Sequence, residues 1–339
     1  MMENGRANIE CSITSLLQQL ATAYQSLTNY NCNEAIKLFE KLPKAQYNTA
    51  WTHINIGRAL FETIRYTEAV KAYKQALTLE PYRIEGLEYY STSLWQLRKV
   101  VDLCELANKA LSVSLTIPET WCIVGNTFSL QKEHEIALRF FNRAIQLDPY
   151  FAYPYTLCGH EYVANEDFEQ AKKYYEKAIS CDEYHYNAYW GIGNVYLKQE
   201  NYKQAVNYFK RAIVINPKSA VLYTYLGMAY LHNNQLKEAL RGFETAERMD
   251  PNNPLNKYQK ATVLISMNHL KEGLQVLEEL ELKVPKEAPV HILIGKVYKR
   301  TGEKNKALVH FNKAIELNPK EANTIKILID HLDNDNDDF

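Results

Sequence analysis

The sequence predicts an all-α fold, a solenoid of stacked helical hairpins, and three observations lead to it. The chain has 339 residues, of which 46% are hydrophobic, yet it holds only 12 Gly and 11 Pro. It also contains 25 Tyr. Few helix-breaking residues and many aromatic residues suit a helical array better than a β-sheet protein. The third observation is a set of small and aromatic residues that recurs at a fixed interval along the chain.

The recurring pattern is a Gly, an Ala twelve residues later, an aromatic residue, a second Ala and a Pro. One copy reads Gly125, Ala137, Phe141, Ala144 and Pro149. The interval between copies is 34 residues, the period of the tetratricopeptide repeat (TPR), in which each repeat is a pair of antiparallel helices. Strong copies begin at Gly57, Gly125, Gly159, Gly193, Gly227 and Gly295, and weaker ones at Ser91 and Ala261. We therefore predict about nine repeats, which start near residues 16, 50, 84, 118, 152, 186, 220, 254 and 288.

These repeats account for nearly the whole chain. One repeat cannot bury its apolar face alone, so neighbouring repeats stack and share a continuous core. Small residues let the helices approach each other, and the Pro ends the second helix of a repeat. We predict a disordered or partly helical N-terminus over 1–15, a right-handed TPR superhelix over 16–320, a capping helix over 321–332 and an acidic disordered tail over 333–339.

Composition excludes several classes of function. The formal net charge is -1, and phosphate binding needs clustered basic residues, so nucleic acid is not expected as a ligand. We find no signal peptide and no apolar stretch of the length that a membrane span needs. The six Cys are scattered and are expected to be reduced, which fits a protein of the nucleus and cytoplasm.

Four kinds of fragment imitate catalytic or metal-binding motifs, and each lacks an essential residue. His134-Glu135 and His160-Glu161 begin like the zinc-protease motif HExxH, but the second His is absent from both. The other fragments lack a required Gly; they are the dinucleotide-like Gly191–Gly193, the P-loop-like Gly295-Lys296 and the calcium-loop-like Asp333–Asp337. We therefore expect no enzyme, no cofactor and no metal ion. His53 and His291 share a repeat position with Trp121 and several Tyr, so they are interpreted as packing residues.

The first helix of each repeat is expected to line a concave groove, with repeat positions 2, 5, 9, 12 and 13 turned inward. Arg58 and Glu88 occupy such positions. Chaperone-binding TPR domains need Lys and Asn in adjacent repeats, and here Asn194 and Lys198 stand alone on one helix. Repeats over 118–219 instead suit a short peptide with one apolar and one basic side chain. The candidate residues are polar (Asn126, Ser129, His160, Asn187, Asn194), apolar (Val163, Trp190, Leu197) and acidic (Glu133, Glu161).

Several segments go beyond the general repeat pattern. They include Tyr-Ser-Thr-Ser-Leu-Trp over 90–95 and Ser-Leu-Gln-Lys-Glu-His over 129–134, within longer blocks at 47–62, 80–99, 121–149, 155–163, 185–202 and 284–302. Over roughly residues 20–325 the chain resembles the C-terminal TPR superhelix of the cell-division-cycle-27-type subunit of the anaphase-promoting complex (cyclosome).

The resemblance implies a non-catalytic scaffold in a cell-cycle E3 ubiquitin ligase that acts in mitosis. It implies three kinds of protein partner: WD40 coactivators that end in Ile-Arg, the substrate-receptor subunit with a similar tail, and other TPR subunits. The Ile-Arg site is expected in the repeats over 118–219. Members of the family also have an N-terminal half that forms a homodimer and a disordered middle, neither of which is visible in this sequence. A homodimer is expected only if such a half is present.

Two other functions stay open on the sequence. A TPR adaptor of chaperone or trafficking machinery would share the fold, although the carboxylate clamp is missing. The TPR part of a glycosyltransferase-like enzyme would also share it, although the repeats leave little room for a catalytic domain.

Overall fold

A computed structural model describes the backbone of residues 2–330 and the side chains of residues 13–330. This part of the chain is helical and contains no β-strand, which confirms the predicted all-α fold class. The helices are α1 (Met2–Thr28), α2 (Cys32–Glu40), α3 (Lys44–Tyr47), α4 (Ala50–Glu62), α5 (Tyr66–Leu79), α6 (Glu88–Gln96), α7 (Val100–Val113), α8 (Pro118–Leu130), α9 (His134–Leu147), α10 (Ala152–Ala164), α11 (Phe168–Cys181), α12 (Tyr186–Lys198), α13 (Tyr202–Ile215), α14 (Ala220–His232), α15 (Leu236–Met249), α16 (Pro254–Ser266), α17 (Leu270–Lys283), α18 (Ala288–Arg300), α19 (Lys304–Leu317) and α20 (Ala322–Asp330).

Helix starts follow the repeat of the sequence. From α8 to α18, every first helix begins 34 residues after the previous one, at residues 118, 152, 186, 220, 254 and 288. The third repeat differs, because α6 begins at Glu88 rather than near 84. Residues 81–87 are not helical there, and Gly86 has a φ of +84°, a conformation that residues with a β-carbon rarely adopt. The N-terminal stretch is helical from Met2 onward.

The turn inside each repeat uses one residue with positive φ, which ends the first helix and reverses the chain. In the fourth repeat this residue is Lys132, with a φ of 64°, and the backbone N–H of Glu133 donates to the carbonyl of Phe128 at 3.0 Å. A backbone hydrogen bond of this kind closes the C-terminus of a helix that is followed by a residue in the left-handed conformation. The same conformation recurs at Tyr30, Ile64, Arg98, Lys132, Glu166, Glu200, Asn234, Asn268 and Gly302.

The described residues form two compact units. The first unit holds the chain up to Gln199 together with Lys210–Ser219, and the second holds Glu200–Phe209 and the chain from Ala220 onward. In the first unit the core aromatic residues of the second helices, Tyr73, Phe141 and Tyr175, are at most 1% exposed. The predicted role of the small residues is confirmed, because a β-carbon on Gly125 would lie only 2.3 Å from the Phe141 ring.

The second unit is built by the same rule. Its core holds the fully buried Phe243, Leu277 and Phe311. The last helix, α20, buries Ile325 against this core, in the place where a capping helix over 321–332 is predicted. Residues 331–332, the predicted acidic tail over 333–339 and the calcium-like fragment Asp333–Asp337 lie outside the described residues. Among the described helices, none combines the length and the apolar character that a membrane crossing requires.

Candidate peptide-binding groove

All ten predicted site residues lie in the first unit, nine on the first helices of three consecutive repeats and Glu133 in the turn before α9. The helices carry them at the spacing of roughly one turn that the prediction assumed. Helix α8 carries Asn126 and Ser129 and is followed by Glu133; α10 carries His160, Glu161 and Val163; α12 carries Asn187, Trp190, Asn194 and Leu197.

Asn126 is engaged inside the protein. Its side chain is 3% exposed, and its Nδ2 donates to the Ser91 hydroxyl at 2.8 Å and to the Thr92 hydroxyl at 3.1 Å. The Thr92 hydroxyl also shares a 2.6 Å hydrogen bond with the Tyr153 hydroxyl. Asn126 therefore links α6 to α8 and does not present its amide to a ligand. We had expected an accessible polar side chain that contacts the peptide.

Ser129 and Glu161 form a second buried network. The Ser129 hydroxyl donates to Oε1 of Glu161 at 2.6 Å and accepts from the Trp95 indole N–H at 3.1 Å. The other oxygen of Glu161, Oε2, lies 2.6 Å from Nδ1 of His134. Glu161 is only 6% exposed, so its carboxylate is satisfied within the protein. The other predicted carboxylate, Glu133, is exposed at the turn before α9.

His160 lies at the centre of the predicted site. Its Nδ1 is 2.7 Å from the Tyr175 hydroxyl, and its ring lies 5.9 Å from that of Trp190 at an angle of 65°. Burial, with a smaller effect of His185, lowers the pKa of His160 to about 4, so the imidazole is neutral at pH 7. Burial likewise lowers the pKa of His185 to about 4.

Glycines on both sides hold Tyr175 in place beneath His160. A β-carbon on Gly159 would lie 2.4 Å from the Tyr175 ring, and one on Gly191 would lie 2.5 Å from it. Only residues without a side chain allow the ring to reach this position between α10 and α12. The close packing of the Tyr175 ring against these two glycines thus positions the Tyr175 hydroxyl, which orients the ring of His160.

The remaining predicted residues are half-buried and lie on α10 and α12. Together with His160 they are the part of the predicted site on these two helices that stays accessible to a ligand, and we call this set the open groove. It consists of His160, Val163, Asn187, Trp190, Asn194 and Leu197. Its surface combines an indole and two aliphatic side chains with two amides and a neutral imidazole.

Sequence reasoning missed a second cluster on the same unit. The Arg58 guanidinium lies 5.2 Å from the centre of the Tyr89 ring, and the Tyr186 hydroxyl donates to Oε2 of Glu62 at 2.6 Å. Nearby, burial raises the pKa of Glu88 to about 7, with a smaller contribution from Glu119. Their repeat positions identify Arg58 and Glu88 as groove residues. The Glu62–Tyr186 contact joins repeats that are far apart in the chain, and the 34-residue period does not identify such a contact.

Comparison with known protein families agrees with this architecture. Models described as tetratricopeptide repeat match residues 52–83, 118–151 and 152–185. Other models of the same description match 186–219, 208–241, 230–297 and 288–321. The matched ranges include every helix that carries the candidate site.

Individual relatives point to one kind of TPR protein. The cell division cycle protein 27 homolog of Homo sapiens is 46% identical over 137 residues, which cover 40% of this chain and 17% of the relative. Anaphase-promoting complex subunit 3 of Dictyostelium discoideum is 43% identical over 134 residues, which cover 40% of this chain and 14% of the relative. The matched stretches thus span less than a fifth of these two relatives.

A solved structure of the APC/C hetero-tetramer Cut9-Hcn1 is similar with a TM-score of 0.71, over 91% of this chain and 68% of that chain. Its sequence identity is 16%, so this likeness shows the fold alone. The predicted resemblance to cell-division-cycle-27-type subunits is confirmed by the two relatives, and the chain belongs to the tetratricopeptide-repeat proteins.

Proposed function

We propose that the chain is a non-catalytic TPR scaffold subunit of the anaphase-promoting complex, a cell-cycle E3 ubiquitin ligase. The observation that carries this proposal is the 46% identity over 137 residues to a cell division cycle protein 27 homolog. The Dictyostelium relative is itself named as a subunit of that complex. Stacked helical repeats present long continuous surfaces, which suit the binding of other proteins. The expected sites of action are the nucleus and the cytoplasm.

We further infer that the open groove docks the C-terminal Ile-Arg tails of WD40 coactivators and the similar tail of the substrate-receptor subunit. The Ile side chain would pack against Trp190, Val163 and Leu197, and its burial contributes about 1.5–3 kcal/mol. Asn187 and Asn194 would supply hydrogen bonds to the peptide backbone and its terminal carboxylate. These side chains are half-buried, so a ligand can reach them.

The Arg of the tail needs a negative partner. Glu133 is exposed and is the better partner, since the oxygens of Glu161 are held by Ser129 and His134. A charge-assisted hydrogen bond to a carboxylate contributes about 1.5–3 kcal/mol. His160 and His185 are neutral at pH 7 and do not repel an incoming Arg.

These contributions are modest, because ordering a flexible tail costs part of them. One tail is therefore expected to bind with a dissociation constant of about a micromolar or weaker. A second contact on the same coactivator would raise the affinity through effective concentration.

Packing against other TPR subunits would use the outer surface of the repeats. Large apolar side chains stand exposed on second helices, among them Val101 (72%), Leu282 (85%) and Val309 (63%). Such packing would cover them. A homodimer would require an N-terminal half like that of the family.

Purification of the native complex tests the scaffold proposal. The chain would be tagged in its own cells, and the co-purifying proteins would be identified by mass spectrometry against an untagged culture. A cullin-like subunit and a RING subunit in stoichiometric amounts are expected. Chaperones or trafficking proteins in their place would favour the TPR adaptor and refute the scaffold proposal.

A further inference from the structure

The last repeat carries two histidines where other repeats carry packed aromatic rings. In the fourth repeat, Trp121 stacks on Phe140 with ring centres 5.7 Å apart, and in the fifth, Tyr155 meets Tyr174 at 6.4 Å. The same two repeat positions in the ninth repeat hold His291 on α18 and His310 on α19, with ring centres 5.6 Å apart. Two aromatic rings that cannot bind a metal ion through nitrogen are thus replaced by two imidazoles that can.

A carboxylate completes a cluster of three donors. Nδ1 of His291 lies 3.4 Å from Nδ1 of His310 and 3.6 Å from Oε1 of Glu281, which comes from α17 in the preceding repeat. One donor atom of each residue lies within 4.8 Å of the others. Two ligands bound to tetrahedral zinc at about 2.0–2.1 Å are about 3.3 Å apart. The two short separations are therefore close to those of a zinc site.

The surroundings of His291 prepare it as a ligand. Its Nε2 lies 3.0 Å from the carbonyl oxygen of Pro285, so the proton belongs on Nε2 and the lone pair on Nδ1. A hydrogen bond from the second ring nitrogen to a backbone carbonyl is the usual way in which proteins orient a metal-binding His. His291 is 0% exposed, so its ring is held by packing as well.

We propose that Glu281, His291 and His310 bind a divalent transition-metal ion of the Zn²⁺ class. Three protein ligands leave a fourth position for water or for a side chain of a partner protein. The ion would join α17 of the eighth repeat to both helices of the ninth. It would thereby fasten the last repeat of the second unit to its neighbour.

A lysine side chain already contacts the cluster as a cation. Nζ of Lys313 lies 2.8 Å from Oε1 of Glu281 and is the cation that the metal must displace. Its side chain is 45% exposed, so it can turn into solvent.

The test is a zinc titration of the untagged, chelator-treated chain in competition with a chromophoric chelator. One Zn²⁺ per chain is expected, and Co²⁺ in its place should give the intense visible absorption of a tetrahedral site. His310→Phe removes a ligand while restoring the type of ring found at Phe140, so the variant should fold. Glu281→Gln removes the carboxylate with little change of shape. Each variant should bind Zn²⁺ at least about tenfold more weakly.

His269→Ala is the matched control, because His269 lies 3.7 Å from Glu272 on an exposed helix end without a second histidine. Its zinc affinity should equal that of the unchanged chain. Zinc should also raise the unfolding temperature of the unchanged chain and of His269→Ala, but not that of His310→Phe. Equal zinc affinity in His310→Phe and the unchanged chain would overturn the proposal, as would the lack of micromolar binding in the unchanged chain.

Discussion

The hydroxyl of Tyr186 donates a 2.6 Å hydrogen bond to Oε2 of Glu62, a residue 124 positions earlier in the chain. Glu62 ends α4 in the second repeat, and Tyr186 begins α12 in the sixth. The Tyr30 ring meets the Tyr186 ring edge-on with centres 5.2 Å apart. The first unit therefore curves far enough to bring its early and late repeats into contact.

This contact predicts that Tyr186→Phe destabilises the first unit. The change removes one hydrogen bond to an acidic group and leaves Glu62 without that donor, so the free energy of unfolding should fall by about 1–3 kcal/mol. Urea titration of the purified chain measures it. Tyr184→Phe is the control, because Tyr184 is 67% exposed and its change should stay within about 0.5 kcal/mol. Equal stability of the two variants would contradict the structural role of the contact.

Glu88 predicts a pH-dependent loss of stability. Its pKa of about 7 in the folded protein exceeds the ordinary value of 4.5, because burial disfavours the charged form. At pH values between 4.5 and 7, the Glu88 carboxyl loses its proton in the unfolded chain but keeps it in the folded protein. The free energy of unfolding therefore falls as the pH rises toward 7. By linkage the loss amounts to about 3 kcal/mol.

Glu88→Gln should remove this loss, so its advantage over the unchanged chain should grow between pH 4.5 and pH 8. Urea titrations at a series of pH values measure the difference. Glu85→Gln, at a carboxylate whose side chain is 74% exposed, should show no such trend. A constant difference between Glu88→Gln and the unchanged chain across this range would refute the raised pKa.

The turn residue Ile64 predicts a stabilising substitution. Ile64 has a φ of 63°, where a β-branched side chain is strained, and the equivalent turn of the ninth repeat uses Gly302. Ile64→Gly should raise the free energy of unfolding by about 1 kcal/mol, since relief of the left-handed strain exceeds the entropy cost of Gly. Ile64→Ala keeps a β-carbon and serves as control. If both variants have the same stability, the turn is not strained.

Much of the fold is predictable from the sequence because every repeat packs its two helices together through the same kinds of residue. Gly125 and Phe141 recur with their equivalents at a fixed interval, and contact between them needs only the local helix pair. The third repeat is different, since its helix begins late after the turn at Gly86. Local turn chemistry of this kind is not part of the repeat pattern.

The site was less predictable, because helical spacing identifies the direction of a side chain and not its partners. Asn126 is predicted to line the groove, yet it is 3% exposed and its amide is taken up by Ser91 and Thr92 of the previous repeat. The Glu62–Tyr186 contact depends on the summed curvature of several repeats. His291 is buried as predicted for a packing residue, but its proximity to His310 becomes visible only when the two helices are paired.

The binding of a tail peptide tests whether the open groove is a docking site. Fluorescence anisotropy would compare a labelled peptide ending in Ile-Arg with the same peptide ending in Ala-Ala. Trp190→Ala and Asn194→Ala change the open groove, whereas Asn126→Ala and Glu161→Ala would disturb buried networks and are less informative. Val101→Ala, on the exposed face of α7, is the control.

Only the Ile-Arg peptide is expected to bind, with a dissociation constant of about a micromolar or weaker. Trp190→Ala and Asn194→Ala should each weaken binding by about tenfold, a loss of about 1.4 kcal/mol, while Val101→Ala should leave it unchanged. Equal binding of the two peptides, or no binding of either, would contradict the docking groove and leave the chain an architectural role alone.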